Sequence, residues 1–309
     1  MIRYLSHSEI DKFRWDETVS QCGNIYAFSW YLDVVHPDWS ALVDGDYEAI
    51  MPLTGGKKFG VEYLFQPFFV QQLGVFSKQY LTRDKINNFL AAIPKKFRFA
   101  EFRLNEGNCI IGDAQGIECH RNVILDLNKD YETICVDYHN NTKRNLSKAE
   151  KHDLQFVDDV VPEQVVALFR NDRGADLSKW GDREYAVLQH VTKEAQQRGN
   201  AFVVGVKAED DEGLLTGAIF MKTDRRITFL FSGNSARGKE KQAMTFMLNQ
   251  VICQNAGQDL TFDFEGSDNE QLARFYLGFG GREVNYPSLV FNRLSALGNF
   301  ALKCWKKAK

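Results

Sequence analysis

Two carboxylates in the last quarter of the chain offer the most chemistry. In Leu260-Thr261-Phe262-Asp263-Phe264-Glu265-Gly266-Ser267, a period of two puts Leu260, Phe262 and Phe264 on one strand face and Asp263 and Glu265 on the other. A central strand of an α/β sheet is apolar on both faces. A doubly acidic face therefore means a strand end opening into a polar cleft, or carboxylates tied to arginine or lysine at the sheet edge. Further on, Tyr276 stands beside Phe275 and close to Phe279, where a packed core aromatic is the ordinary outcome. Two groups of cations complete the set. On a helix, Arg144, Lys148 and Lys151 fall at i, i+4 and i+7 and make one stripe, which in most proteins is simply a solvated face. Arg237, Lys239 and Lys241 gather positive charge near the start of the helix expected over residues 240–256.

Other chemistries find no support. The six cysteines (Cys22, Cys109, Cys119, Cys135, Cys253 and Cys304) contain no Cys-x-x-Cys pair, which argues against a disulfide framework or a structural zinc site and suits a reducing cytoplasm. The six histidines form neither His-x-His nor His-Glu-x-x-His, so no metal is expected. Cys119-His120 has no third partner in the sequence to make a nucleophile of the thiol. With 38 basic and 41 acidic residues the net charge is -3, which provides no global field for wrapping duplex DNA. No apolar run is long enough for a membrane-spanning helix, and Glu9 and Asp11 interrupt the N-terminal stretch before a secretory core could form.

The elements that must position these residues follow from local signals. In the first half, Tyr26, Ala27, Trp30, Tyr31 and Val34 recur at helical spacing until Pro37. Residues 41–43, 49–53 and 61–65 read as strands, with Asp44-Gly45-Asp46 and Gly55-Gly56-Lys57-Lys58 as turns and a fourth strand over roughly 68–76. Thr82 caps a helix that Pro94 closes, and a strand follows over residues 97–104. In the second half, helices are expected over residues 139–152, 162–170 and 182–198, the last stopped by Gly199. A three-stranded meander then covers residues 201–207, 215–221 and 227–232. A helix over 240–256, a strand over 260–264, a helix over 268–277 and a strand over 286–291 complete the order, and Leu294, Leu297, Ala301 and Trp305 make a terminal helical stripe. Both halves share the sequence meander, helix, strand, which implies a duplicated α/β unit. The last crossover in each makes two strands parallel, and where such strands splay apart a cleft opens at their C-terminal ends.

The wording of two segments resembles a known family. Phe262-Asp263-Phe264-x-Gly266-Ser267, followed by Phe275-x-x-x-Phe279-Gly280-Gly281, is similar to the Fem-type aminoacyltransferases and their acetyltransferase-like relatives, built from two tandem GNAT-like units. Asn269, seven residues before Tyr276, resembles the last helix of the GNAT superfamily, and residues 140–151 resemble the basic helix that opens the second Fem unit. The likeness implies that Tyr276 protonates the departing coenzyme A thiolate. It implies that Asn269 contacts the cofactor arm, and that Asp263 or Glu265 orients the acceptor amine or takes its proton. Arg237, Lys239 and Lys241 would meet the donor phosphates, and Arg144, Lys148 and Ser267 the acceptor. The family's pyrophosphate loop is degenerate here. Gly238-Lys239-Glu240-Lys241-Gln242-Ala243 carries Lys241 in place of the central glycine, which leaves acetyl-CoA or another acyl-CoA and aminoacyl-tRNA both open as donors.

The resulting expectation is an α/β protein with mixed sheets and two tandem GNAT-like units, residues 1–128 and 129–309. It is expected to be a cytoplasmic acyltransferase acting on an amine, its active cleft between strands 227–232 and 260–264. The acceptor would be a small molecule or a cell-wall or polysaccharide precursor, with no covalent enzyme intermediate and no metal. Two alternatives stand beside it: a non-catalytic protein of the same fold that binds a glycan or nucleotide-sugar, and an RNA-binding role centred on Arg144 and Lys148.

Overall fold

A computed structural model describes residues 1–111, 117–174, 180–209, 211–266, 268–295 and 298–299. The chain divides into two compact units. One holds residues 1–22, 26–120 and 285–309, the other residues 23–25 and 121–284. The second unit thus begins a few residues before the expected junction at 128/129 and gives the last strand back to the first.

The first unit opens with β1 (Ile2–Leu5), α1 (Lys12–Cys22) and α2 (Ser29–Val35), followed by β2 (Ser40–Asp44), β3 (Ala49–Leu53), β4 (Gly55–Lys58), β5 (Val61–Phe65), β6 (Phe76–Ser77), α3 (Arg83–Ala92) and β7 (Phe97–Arg103). Strands β1, β2, β3 and β6 lie side by side in that order, all antiparallel. The β4–β5 hairpin joins β7 through a parallel pairing of β5, with α3 as the crossover. That helix starts where the sequence indicates, since Thr82 accepts a hydrogen bond from the Lys85 N–H at 3.2 Å. Its buried side chains, Ile86 and Phe89, pack with Met51, Phe97 and Phe102 in the unit's core.

Two expectations change here. Gly55–Lys58 is a strand, and the turn sits one residue later at Phe59–Gly60. Over residues 68–76 only Phe76 joins a strand; the buried Gln71 and Gln72 lie in the irregular stretch before it and bond to each other at 2.8 Å.

The second unit begins within β8 (Ile117–Asp126) and continues through α4 (Tyr131–Val136), α5 (Asn140–Ala149), β9 (Leu154–Val157), α6 (Pro162–Phe169), α7 (Asp182–Gln197), β10 (Ala201–Ala208), β11 (Asp211–Lys222) and β12 (Arg226–Asn234). Then follow α8 (Ala236–Glu240), α9 (Ala243–Asn255), β13 (Thr261–Asp263) and α10 (Glu270–Leu277), and β14 (Arg282–Asn292) returns the chain to the first unit, where it pairs with β7. The strand order is β8-β13-β12-β11-β10-β9. All neighbours are antiparallel except β12 and β13, which α9 connects as a crossover. Pro162 occupies the first turn of α6, and Gly199 ends α7 in the left-handed region. The core lies between the sheet and α9, with Met247, Leu248, Val251 and Ile252 against Phe220 and Phe262.

The helix expected over 240–256 is broken in two. Lys241 closes α8, and Gln242 takes φ 58°, so α9 starts afresh at Ala243. The helix expected over 139–152 ends at Ala149 and gives way to a tighter turn over Glu150–His152, which includes Lys151. Most of the terminal helical stripe lies outside the described residues.

Candidate active site

The parallel pairing of β12 and β13 is short. It covers Arg226↔Thr261, Ile227↔Phe262 and Thr228↔Asp263, after which β13 stops while β12 runs on to Asn234. A bulge at the divergence adds to the opening: on β12, Leu230 is the extra residue between Phe229 and Phe231, which face Phe220 and Ile219. A cleft of about 540 Å³ fills the gap. Phe229, Phe264 and Tyr276 line one part of it, and Phe169, Trp180 and Phe231 another. The Trp180 and Phe231 rings stack at 6.0 Å, and Phe169 meets Phe231 at 4.7 Å.

The two carboxylates predicted on one strand face separate in space. Asp263 is buried and fully engaged. It accepts hydrogen bonds from Arg226 Nη1 at 2.7 Å, Asn122 Nδ2 at 3.0 Å and the Glu265 backbone N–H at 2.8 Å, and it does not line the cleft. Glu265 does line it. The strand ends at Asp263, so alternation no longer governs Glu265, which takes φ 56° in the left-handed region. For a non-glycine residue that backbone is strained, and here the Asp263 side chain clamps it through the Glu265 N–H. Gly266 anchors the turn: a Cβ there would lie 2.2 Å from Asn122 Cα, so only glycine fits against β8. Glu265 keeps an opening to the cleft, but the protein around it strips away water. That desolvation pushes its carboxyl well above the usual carboxylate range.

Tyr276 sits on α10 with its ring stacked on Phe264 at 5.0 Å and edge-on to Phe229 at 6.2 Å. It is at once a packed aromatic and a cleft residue. Asn269 is the N-cap of α10; its Oδ1 accepts the Gln271 and Leu272 N–H groups at 3.0 and 3.1 Å, and the cleft lining does not include it. Ser267 lies outside the described residues.

Of the three cations near α9, Lys239 lines the cleft, where its Nζ meets Asp172 at 2.6 Å. Arg237 and Lys241 are not among the lining residues. Gly238 is demanded by packing, because a Cβ would fall 2.3 Å from the Leu215 carbonyl oxygen. Gln242, Met244 and Thr245 bring the first turn of α9 to the cleft wall. A helix start presents N–H groups and the positive end of its dipole, the ordinary receptor for a phosphate. Arg144 and Lys148 project from the exposed side of α5 outside the cleft, and Arg144 Nη2 bonds Asn141 at 2.6 Å.

Several members of this site carried no sequence signal. Asp172 reaches Lys239 across 67 residues, and Asn122 reaches Asp263 across 141. The aromatic wall of Phe169, Trp180 and Phe231 comes from a helix end, a loop and a strand. Among the described residues no group of three or more His, Cys, Asp and Glu side chains could hold a metal ion, and no helix is long and apolar enough to cross a membrane.

No family model matches the chain, and no curated protein matches it in sequence. Its similarity is to solved structures. FemX superposes with a TM-score of 0.66 at 11% identity, covering 94% of this chain and 98% of that one. L-PGS from Bacillus licheniformis gives 0.55 at 12% identity, covering 95% of each chain. A conserved protein of unknown function from Bacteroides thetaiotaomicron gives 0.57 at 8%, covering 94% of this chain and all of that one. At such identities the likeness is one of fold. The chain shares the fold of FemX.

Proposed function

We propose that the second unit transfers an acyl or aminoacyl group to an amine, with the reaction in the cleft between β12 and β13. The observation that carries this reading is the desolvated Glu265 in the same cleft as Tyr276, at the strand divergence beside the start of α9. The amine nitrogen attacks the donor carbonyl; a C–N bond forms and the C–S bond of a thioester, or the C–O bond of an aminoacyl ester, breaks. Glu265 takes the proton the amine loses, and its raised affinity for a proton makes it a stronger base than an exposed glutamate. Tyr276 gives a proton to the departing sulfur or oxygen. The donor's phosphates sit at the first turn of α9, where Lys239 exchanges Asp172 for the anion. Both side chains of that pair are partly exposed, so the pair itself adds little stability and opens readily. The acceptor amine belongs to a small molecule or a cell-wall or polysaccharide precursor. Among the described residues Cys22, Cys119, Cys135 and Cys253 form no disulfide, which suits a cytoplasmic setting.

Calorimetric titration with acetyl-CoA, coenzyme A and an aminoacyl-tRNA separates the donors. The expected result is saturable binding of one donor class, weakened about tenfold by Lys239→Glu, the worth of about 1.4 kcal/mol. Tyr276→Phe should bind that donor unchanged while turnover falls about a hundredfold. Failure of every donor to bind would overturn the reading in favour of a protein that keeps the fold and binds a glycan or nucleotide-sugar.

A further inference from the structure

The hairpin of β4 and β5 closes through Phe59 and Gly60, whose φ values of 50° and 79° are both left-handed, with Lys58 paired to Val61. This is the two-residue turn whose twist matches a hairpin, and its first position is relaxed for asparagine, aspartate or glycine. A bulky aromatic there is an outlier. Phe59 is nonetheless 84% exposed, so packing does not explain its presence. An observed outlier of this kind points to function.

The strand register surrounds this tip with cations. Lys57 and Lys58 end β4. Strand β5 runs parallel to β7 with Glu62 opposite Phe97, so Lys95 and Lys96 lead into β7 at the level of Gly60 and Val61. Lys57, Lys95 and Lys96 are exposed, and Lys58 Nζ lies 5.6 Å from the centre of the Phe59 ring. The carboxylates in this region are Glu62, 3.6 Å from Lys96 Nζ, and Asp38, which with Glu62, Lys57 and Lys96 lines a hollow of about 320 Å³. Positive charge prevails. Tyr4, 37% exposed, accepts a hydrogen bond from Lys96 at 2.9 Å and adds a second aromatic.

We propose that this end of the first unit docks on an anionic lipid bilayer, with Phe59 entering the acyl boundary and the four lysines meeting the headgroups. The arrangement fits: the aromatic is in the exposed hairpin turn, Lys57 and Lys58 precede it by two residues and one, and Lys95 and Lys96 flank it level with Gly60 and Val61. A nucleic acid strand is tracked along a cationic groove lined by stacking aromatics; here the hollow beside Lys57 and Lys96 also holds Asp38 and Glu62, and Phe59 is not part of its lining. One aromatic and four lysines give reversible attachment. The proposal is independent of the transferase reading.

Sedimentation of the whole protein with vesicles tests it. The protein should pellet with phosphatidylglycerol-containing vesicles, stay in solution with pure phosphatidylcholine, and leave the vesicles as salt rises. Neutralising each of Lys57 and Lys58 should lower partition about fivefold, which corresponds to ~1 kcal/mol per lysine at an anionic surface. Phe59→Asn should abolish most of the binding yet melt no lower than the parent, because asparagine relaxes the turn. That pairing separates lost docking from lost folding. The proposal falls if the parent ignores anionic vesicles, or if Phe59→Asn pellets as the parent does. It also falls if the lysine variants instead lose salt-dependent binding of tRNA while no vesicle is bound.

Discussion

Replacing Arg226 by methionine tests whether Asp263 is part of the frame of the site or part of its chemistry. The Asp263 side chain is 4% exposed and that of Arg226 19%. Removing the arginine leaves a buried carboxylate with two neutral donors, Asn122 Nδ2 and the Glu265 N–H. Breaking a buried ion pair from one side costs about 3–5 kcal/mol, and the partial exposure of Arg226 puts this case near 3. Asp263→Asn keeps an acceptor for both neutral donors and loses only the charge-assisted bond, about 1.5–3 kcal/mol. The double variant should recover about 1–2 kcal/mol of the summed loss, because neither group is then left charged without its partner. Urea denaturation followed by circular dichroism reads these values. With a slope of about 2–3 kcal/mol/M, Arg226→Met should lower the midpoint by about 1–1.5 M. Additive single losses, or Arg226→Met indistinguishable from the parent, would refute the pairing. Turnover supplies the second half of the test. Asp263→Asn should keep turnover within about fivefold, whereas Glu265→Gln should lose a hundredfold or more, about the worth of a general base. If Asp263→Asn fell as far as Glu265→Gln and lost the basic arm of the pH profile, Asp263 would be the base.

Two further outcomes follow from the same geometry. Glu265 has a higher proton affinity folded than unfolded, so it contributes stability that is full below the ordinary glutamate range near 4.5 and is lost as pH rises through its folded value. Glu265→Gln should therefore gain stability over the parent as pH climbs above that range, read as a melting-temperature difference that widens with pH while activity is lost. Asn269→Ala removes the α10 cap and should cost about 1 kcal/mol of stability. Donor affinity should not change, because the cap bonds to backbone and stands outside the cleft; a tenfold loss of donor binding in the folded variant would restore the cofactor contact implied by family resemblance.

What the sequence determined by itself is the local grammar. Thr82 and Pro94 bound α3, Pro162 opens α6 and Gly199 closes α7, because each acts through backbone groups within a few residues of itself. The alternation of apolar residues set out the meander and the crossover, and the wording around Phe262–Gly281 indicated the fold that the superposition on FemX bears out. Where β12 and β13 diverge is also implicit in that order, since a crossover pair followed by polar residues must open at its C-terminal end.

Tertiary structure decided which side chains share that opening. Asp263 and Glu265 look equivalent in a period-two pattern, but Arg226 and Asn122 claim the first. The end of β13 at Asp263 then turns the second into the cleft. The left-handed residue near α9 is Gln242, so the helix breaks where an unbroken pattern of good helix formers hides it. Lys239, alone of its three cations, lines the cleft beside Asp172, and Asn269 spends its side-chain oxygen on a helix cap. Each of these outcomes depends on a partner brought near by the sheet rather than by the chain. A sequence can place a carboxylate on a strand, but which arginine neutralises it is settled only when the strands pair.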